Sequence, residues 1–238
     1  ESWFDSPYYP ILYRHRNEEE AAQFLDRLFD FIQPEPQSKV LDLACGRGRH
    51  ARHLHQKGYD VTGLDLSPAS IQEAKAFENP GLSFGIHDIR DPFPLPKWNV
   101  VLNVFTSFGY FEQEQEHLKA IKTMASALLP QGILVIDFLN PKVLDLKEPP
   151  GEVQEQQLNG LHFTIRKFRK DGYAHKEIEV LDGNHRHHYR EKVRLFSKHD
   201  LEHLADQVGL KPWRSFGNYA LEEWNPDSER TILLLKHA

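Results

Sequence analysis

The sequence predicts an α/β fold: a mostly parallel sheet, interrupted in its C-terminal part by an antiparallel β insertion. Three observations carry this prediction. Short, continuous apolar runs at 39–44, 60–65, 82–86, 99–104 and 132–139 fit strands buried on both faces. Segments of helical spacing separate most of them, and strands alternating with helices imply right-handed crossovers. After Pro149, Pro150 and Gly151 the period shifts from about 3.6 to about two, as antiparallel strands require.

Each element has a local reason. From 18 to 32, Ala21, Phe24, Leu25, Leu28, Phe29 and Ile32 recur on one helical face, and Pro34 and Pro36 end the run. A glycine turn after the first strand leads into an amphipathic segment through Ala51, Leu54 and His55, stopped by Gly58. Ser67 and Pro68 read as N-cap and first residue of a helix that reaches about Glu78. Residues 114–128 form another helix. In the insertion, 162–168, 176–181 and 185–195 alternate as strands, and Asp182, Gly183 and Asn184 make a hairpin turn. Ser197 caps a helix to Val208, and 210–219 and 230–236 are closing strands. The predicted organisation is a main domain of 1–148 and 197–238, with 149–196 as an insertion that covers the substrate.

Composition narrows the function classes. The 238 residues suffice for one sizeable core, and 39% hydrophobic with 27% charged residues suits a folded chain. No apolar run approaches the roughly 20 residues of a membrane span. One cysteine, Cys45, excludes an intrachain disulfide, and no secretory signal opens the sequence, so a reducing, cytoplasmic setting is expected. The net charge of -6 weighs against nucleic acid as a partner. From Leu161 to Asp200, however, ten Lys or Arg stand against six Asp or Glu. Such strand charges serve solubility and edge protection, or steer an anionic substrate.

The segment from Val40 to His50 carries the chemistry. Gly46 and Gly48 let the backbone turn sharply and approach a ligand, and the helix that follows offers free N–H groups. Asp65 ends the second predicted strand, where a carboxylate can accept both hydroxyls of a ribose. Asp88 and Ile89 follow the third, placed to meet an adenine amino group and ring face. Gly46, Gly48 and Ala51 also satisfy the dinucleotide pattern of NAD-dependent oxidoreductases. Asp42 argues against that alternative: a carboxylate there repels a pyrophosphate and attracts an ammonium group.

On these residues the chain resembles the class I, Rossmann-like S-adenosylmethionine-dependent methyltransferases of the small-molecule type. Asp42, Ala44, Gly46 and Gly48, then Asp65, then Asp88 and Ile89, then Asn103 carry the resemblance, which covers 38–140 well and the C-terminal strands loosely. One departure is Ala44, where many members carry glycine. The resemblance implies a doubly wound seven-stranded sheet with a last, antiparallel strand. It implies S-adenosylmethionine as cofactor, S-adenosylhomocysteine as product and a small-molecule methyl acceptor with a nitrogen or oxygen nucleophile. Cofactor contacts then fall to Asp42, Ala44, Cys45, Gly46, Gly48, His50, Asp65, Leu66, Asp88, Ile89, Asn103 and Phe105.

Positioning does most of the work in such a transfer, and a general base is the one further need. Tyr110, an apolar ring with a polar end, and His187 on the insertion are the catalytic candidates. Phe108, Tyr189 and the N-terminal Tyr9, Tyr13 and Arg16 are candidates for binding the acceptor; the alternative for each is ordinary packing. In the run His185 to His188, alternation puts His185 and His187 on one strand face and invites a metal, but no third or fourth ligand follows at suitable spacing, so none is expected. A non-catalytic S-adenosylmethionine-binding protein and an RNA methyltransferase are the remaining alternatives. A monomer or homodimer is expected.

Overall fold

Residues 3–13, 18–93, 95, 97–147 and 153–238 are described by the structure, a computed structural model. In chain order the strands are β1 (Lys39–Leu43), β2 (Asp60–Asp65), β3 (Leu82–Ile86), β4 (Trp98–Asn103), β5 (Leu128–Leu139), β6 (Val153–Leu158), β7 (Leu161–Lys170), β8 (Tyr173–Asp182), β9 (His185–Arg194), β10 (Leu210–Phe216) and β11 (Arg230–His237). The helices are α1 (Tyr9–Leu12), α2 (Glu18–Ile32), α3 (Arg49–Gln56), α4 (Pro68–Ala74), α5 (Glu114–Ala127), α6 (Pro141–Lys147) and α7 (Lys198–Asp206).

Seven strands form one sheet in the order β10-β11-β5-β4-β1-β2-β3. β1 to β5 run parallel, and β11 pairs antiparallel with β5 and with β10. This is the expected doubly wound, seven-stranded architecture. Its central strands are apolar because helices cover both faces. On one face Phe24, Leu25 and Leu28 of α2 pack with α3 and α4; on the other, Ala120, Ile121 and Met124 of α5 pack with Leu201 and Leu204 of α7. Ser197 caps α7 by a reciprocal capping box with Asp200, so the expected helix start is real, although the helix ends at Asp206.

β6 to β9 form a separate antiparallel sheet with neighbours in sequence order. Alternation puts Leu161, Phe163 and Ile165 of β7, Ile178 and Val180 of β8 and Tyr189 of β9 on one face. There they meet Trp3, Tyr8 and Leu12 of the N-terminal segment in a third core. The sheet has four strands where three were expected. The missed one, β6, reads Val-Gln-Glu-Gln-Gln-Leu: it is a polar edge strand without apolar alternation. Two short helices, α1 and α6, were also missed, and β5 begins at Leu128 rather than Gly132.

Trp3 is 3% exposed, packs on Tyr189 at 5.0 Å, and its Nε1 has no hydrogen-bond partner among the described residues. Trp3→Ala should cost about 3 kcal/mol in denaturant unfolding. Trp3→Phe, which keeps a ring and removes the unpaired donor, should stay within about 1 kcal/mol of the parent.

Candidate functional site

The strand order reverses between β1 and β4, and ligands in open α/β sheets bind beyond the carboxyl ends of the strands at that point. A cavity of about 750 Å³ opens there. Its rim is the turn after β1, where Ala44, Gly46 and Gly48 all adopt left-handed backbone, with φ of 61°, 55° and 75°. At Gly46 a Cβ would meet nothing within 4 Å, so the backbone faces open space. At Gly48 a Cβ would stand 2.3 Å from the Phe84 ring, so only glycine fits.

Asp65 fixes this turn. Its Oδ2 accepts the Gly46 N–H at 2.7 Å and its Oδ1 the Ser67 N–H at 2.8 Å. Each oxygen keeps a further lone pair for a ligand hydroxyl. Asp65 lines the cavity with Leu66, which is 64% exposed, and with Asp88 and Ile89 after β3. Arg90 grips the Asp88 carboxylate from Nε and Nη2 and holds it below the usual carboxylate range.

Behind the turn lies Asp42, 1% exposed. Burial, and then the nearby charge of Asp65, raises its carboxyl from 3.8 to about 7, against a smaller opposing pull from Arg49. Among the described residues its Oδ2 has no hydrogen-bond partner, and neither has Oδ1 of the wholly buried Asn103 on the adjacent strand. Asn103 Nδ2 donates to the Leu43 carbonyl at 3.3 Å. Two orphaned acceptors under a backbone turn lack a cation or donor.

The far side of the cavity is built by the chain's end. Asp137, wholly buried on β5, accepts from the Phe105 N–H at 2.7 Å, the Tyr219 hydroxyl at 3.1 Å and Arg230 Nε at 2.6 Å. Arg230 Nη2 donates to Thr106 Oγ1 at 2.8 Å. Phe105 and Thr106 are both left-handed, with φ of 59° and 60°, and this network holds them so. Burial and the Asp137 charge push the Tyr219 phenol far up, so it stays protonated as a donor.

Of the residues singled out in the sequence, Ala44, Gly46, Asp65, Leu66, Asp88, Ile89, Phe105, Tyr110, Tyr9 and Tyr13 line this one cavity. Asp42, Cys45 and Asn103 lie beneath it. The Cys45 thiol is buried, its titration pushed up by desolvation, and it contacts the Gly46 carbonyl. Gly48 is held against Phe84, and His50 stacks on Phe105 at 4.5 Å rather than lining the space. Phe108 is wholly buried beside His117 and Phe196, and Tyr189 is buried beside Trp3 and Tyr8. His187 sits against the Tyr8 ring at 5.1 Å, at the end of β9 remote from the cavity. Arg16 lies outside the described residues. Sequence reasoning missed Glu20, Lys167, Lys176, Glu191, Tyr219 and Arg230 as cavity residues. Only the cationic excess of 161–200 signalled any of them.

A family described as Methyltransferase domain matches residues 13–215. The chain belongs to this family. The methyltransferase is 32% identical over 182 residues to a dTDP-3-amino-3,6-dideoxy-alpha-D-glucopyranose N,N-dimethyltransferase of Streptomyces fradiae, covering 73% of this chain and 70% of that one. A dTDP-3-amino-3,4,6-trideoxy-alpha-D-glucopyranose N,N-dimethyltransferase of Streptomyces venezuelae is 31% identical over 132 residues, and the chain spans about half of that relative's length, 54%. In fold, the methyltransferase superposes on an S-adenosylmethionine-dependent methyltransferase from Clostridium acetobutylicum with a TM-score of 0.81, at 18% identity, covering 97% of this chain and 96% of that chain.

S-adenosylmethionine, the cofactor of this family, suits the donor set. Asp65 offers lone pairs for the ribose, Leu66 and Ile89 offer apolar surface for the adenine, and Asp42 and Asn103 lack the positive partner that an amino-acid tail supplies. Two predictions follow from the turn itself. Ala44→Gly should stabilise the protein by about 1 kcal/mol in thermal unfolding by relieving left-handed strain, whereas Gly48→Ala should destabilise it by about 3 kcal/mol through strain and the Phe84 clash. Asp42 sets a pH dependence. Its folded carboxyl titrates above the unfolded one, so the ligand-free protein binds the extra proton and loses stability as pH rises from about 4 to about 7, by on the order of 4 kcal/mol. Melting temperatures across that window should fall for the parent relative to Asp42→Asn.

Proposed function

We propose that the chain transfers a methyl group from S-adenosylmethionine to a nitrogen or oxygen nucleophile of a small molecule held between the insertion sheet and the main sheet. The observation that carries this reading is the single cavity running from Asp65 and Gly46 at the cofactor end to the inner face of β7, β8 and β9. The sulfonium supplies an activated methyl group, so the protein needs no covalent nucleophile. The residues of the chain bind, orient and exclude water. Phe105 and Phe111 give the cavity apolar walls, and Phe4 packs edge-on to Tyr110 at 5.4 Å over it. Tyr110 is 37% exposed and lines the cavity, so it is the group we assign to hydrogen-bond and orient the nucleophile, relaying the released proton to solvent as its own hydroxyl proton leaves. His187, the other catalytic candidate, is held by Tyr8 away from this space, and we give it no such role.

The two Streptomyces relatives are N,N-dimethyltransferases, which favours an amine over a hydroxyl as acceptor. A cytoplasmic setting suits the single, buried thiol of Cys45. Among the described residues no helix is long and apolar enough to cross a membrane.

Calorimetry with S-adenosylmethionine and S-adenosylhomocysteine tests the proposal. Both should bind, and Asp65→Ala should weaken both by about 10- to 100-fold, the loss of hydrogen bonds to a charged acceptor. Absence of binding to either, with the protein folded, refutes it.

A further inference from the structure

We infer that the acceptor carries an oxyanion group, a carboxylate or a phosphate, received by Arg230 together with Lys167 and Lys176 of the insertion sheet. The word acceptor rests on the methyl-transfer reading; the anion site itself rests on the following geometry.

The inner face of the insertion sheet changes character along its strands. Leu161, Phe163 and Ile165 of β7 are buried in the third core, and the next residues of the same parity are Lys167 and Arg169. On β8 the same alternation leads from Val180 and Ile178 to Lys176, and on β9 from Tyr189 to Glu191. Lys167, Arg169, Lys176 and Glu191 all line the cavity. Lys167 and Lys176 stand directly opposite each other in the ladder, a like-charge pairing that a sheet ordinarily avoids. Glu191, opposite Lys176 on the other side, accepts the Tyr13 hydroxyl at 2.7 Å, and Lys176 donates to the same hydroxyl.

Arg230, on β11 of the main sheet, lines the same cavity. It is fixed by Asp137 through Nε and by Thr106 through Nη2, which leaves Nη1 without a partner among the described residues while the side chain still lines the cavity. A guanidinium oriented by a buried carboxylate, with donors left over, is a preorganised anion receptor. After Asp137, Glu20 is the acid with the most influence on Arg230. The cations thus concentrate at the acceptor end, whereas Asp65 and Asp88 hold the cofactor end. Four strand spacings of about 4.8 Å separate β2 from β11, about 19 Å in all, room for an adenosine and a second small molecule side by side.

The test uses the full chain saturated with S-adenosylhomocysteine, titrated with sodium citrate in one arm and sodium pyrophosphate in the other, at constant ionic strength set with sodium chloride. At least one should bind; citrate alone identifies a carboxylate acceptor and pyrophosphate alone a phosphate one. Arg230→Gln and Lys167→Gln should each weaken that binding by about 10- to 100-fold. Arg230→Gln strips a partner from buried Asp137 and can unfold the protein; Lys167→Gln, on a half-exposed strand position, then carries the test alone. No binding of either anion, or equal binding by the parent and Lys167→Gln, overturns the inference. Failure of S-adenosylhomocysteine to bind sinks the methyl-transfer reading separately, and the anion titrations on the unloaded protein still decide the anion site.

Discussion

The Asp65 carboxylate ties together the two backbone turns on which the cavity is built. One oxygen takes the Gly46 N–H and the other the Ser67 N–H, so the turn after β1 and the start of α4 share a single anchor. The Cys45 N–H, which reaches back to the Leu64 carbonyl at 3.1 Å, extends the β1–β2 pairing to the same point. This tie places a charge beside Asp42, whose own carboxyl is buried and pushed up in part by that neighbour. Two acids behind one turn are a cost to the empty protein that a cationic ligand would remove. Stability without ligand is thereby exchanged for affinity toward a particular charge.

A second buried acid organises the opposite side. Asp137 gathers a backbone N–H, a phenol and a guanidinium, and the Thr106 N–H bonds its main-chain carbonyl at 3.0 Å. Consecutive left-handed residues at Phe105 and Thr106 persist because this network over-determines them. Breaking such a pair by removing one partner costs about 3–5 kcal/mol, far more than a surface ion pair. The floor of the cavity is therefore rigid on both sides of the switch point.

What the sequence revealed follows from how locally each feature is encoded. The parallel strands were legible because burial on both faces writes itself as continuous apolar runs, as in Val40 to Leu43. The cofactor end was legible because glycine and acid spacing around 42–48, 65 and 88 is confined to strand ends. The Asp137 network was not: its bonds link residues up to 124 apart and none belongs to a local pattern. His187 and Tyr189 show the converse error. They are candidates for facing the acceptor in the sequence, but the third core fills that stretch, and the residues farther along the strands line the cavity. Ala44 was treated as a small departure from glycine; its φ of 61° shows why glycine suits that position.

The roof is made of two chain-distant pieces that share a core. Trp3, Tyr8 and Leu12 pack on the insertion sheet and not on the main one, so the N-terminal segment and the insertion form one unit. It is tied to the main domain by hydrogen bonds from Arg169, Tyr173 and the Arg194 N–H to the Pro141, Glu112 and Gly109 carbonyls. The Ser67 hydroxyl bonds Asp5 at 2.5 Å at the cofactor end, and Tyr13 bonds Glu191 within the roof itself. A rigid floor under a separately cored roof divides the labour of the site. In the methyl transfer we propose, the floor, built on β1, β2 and Asp137, fixes where the methyl donor lies. In the same proposal the roof sets which acceptor is admitted, and it can vary without disturbing either buried carboxylate.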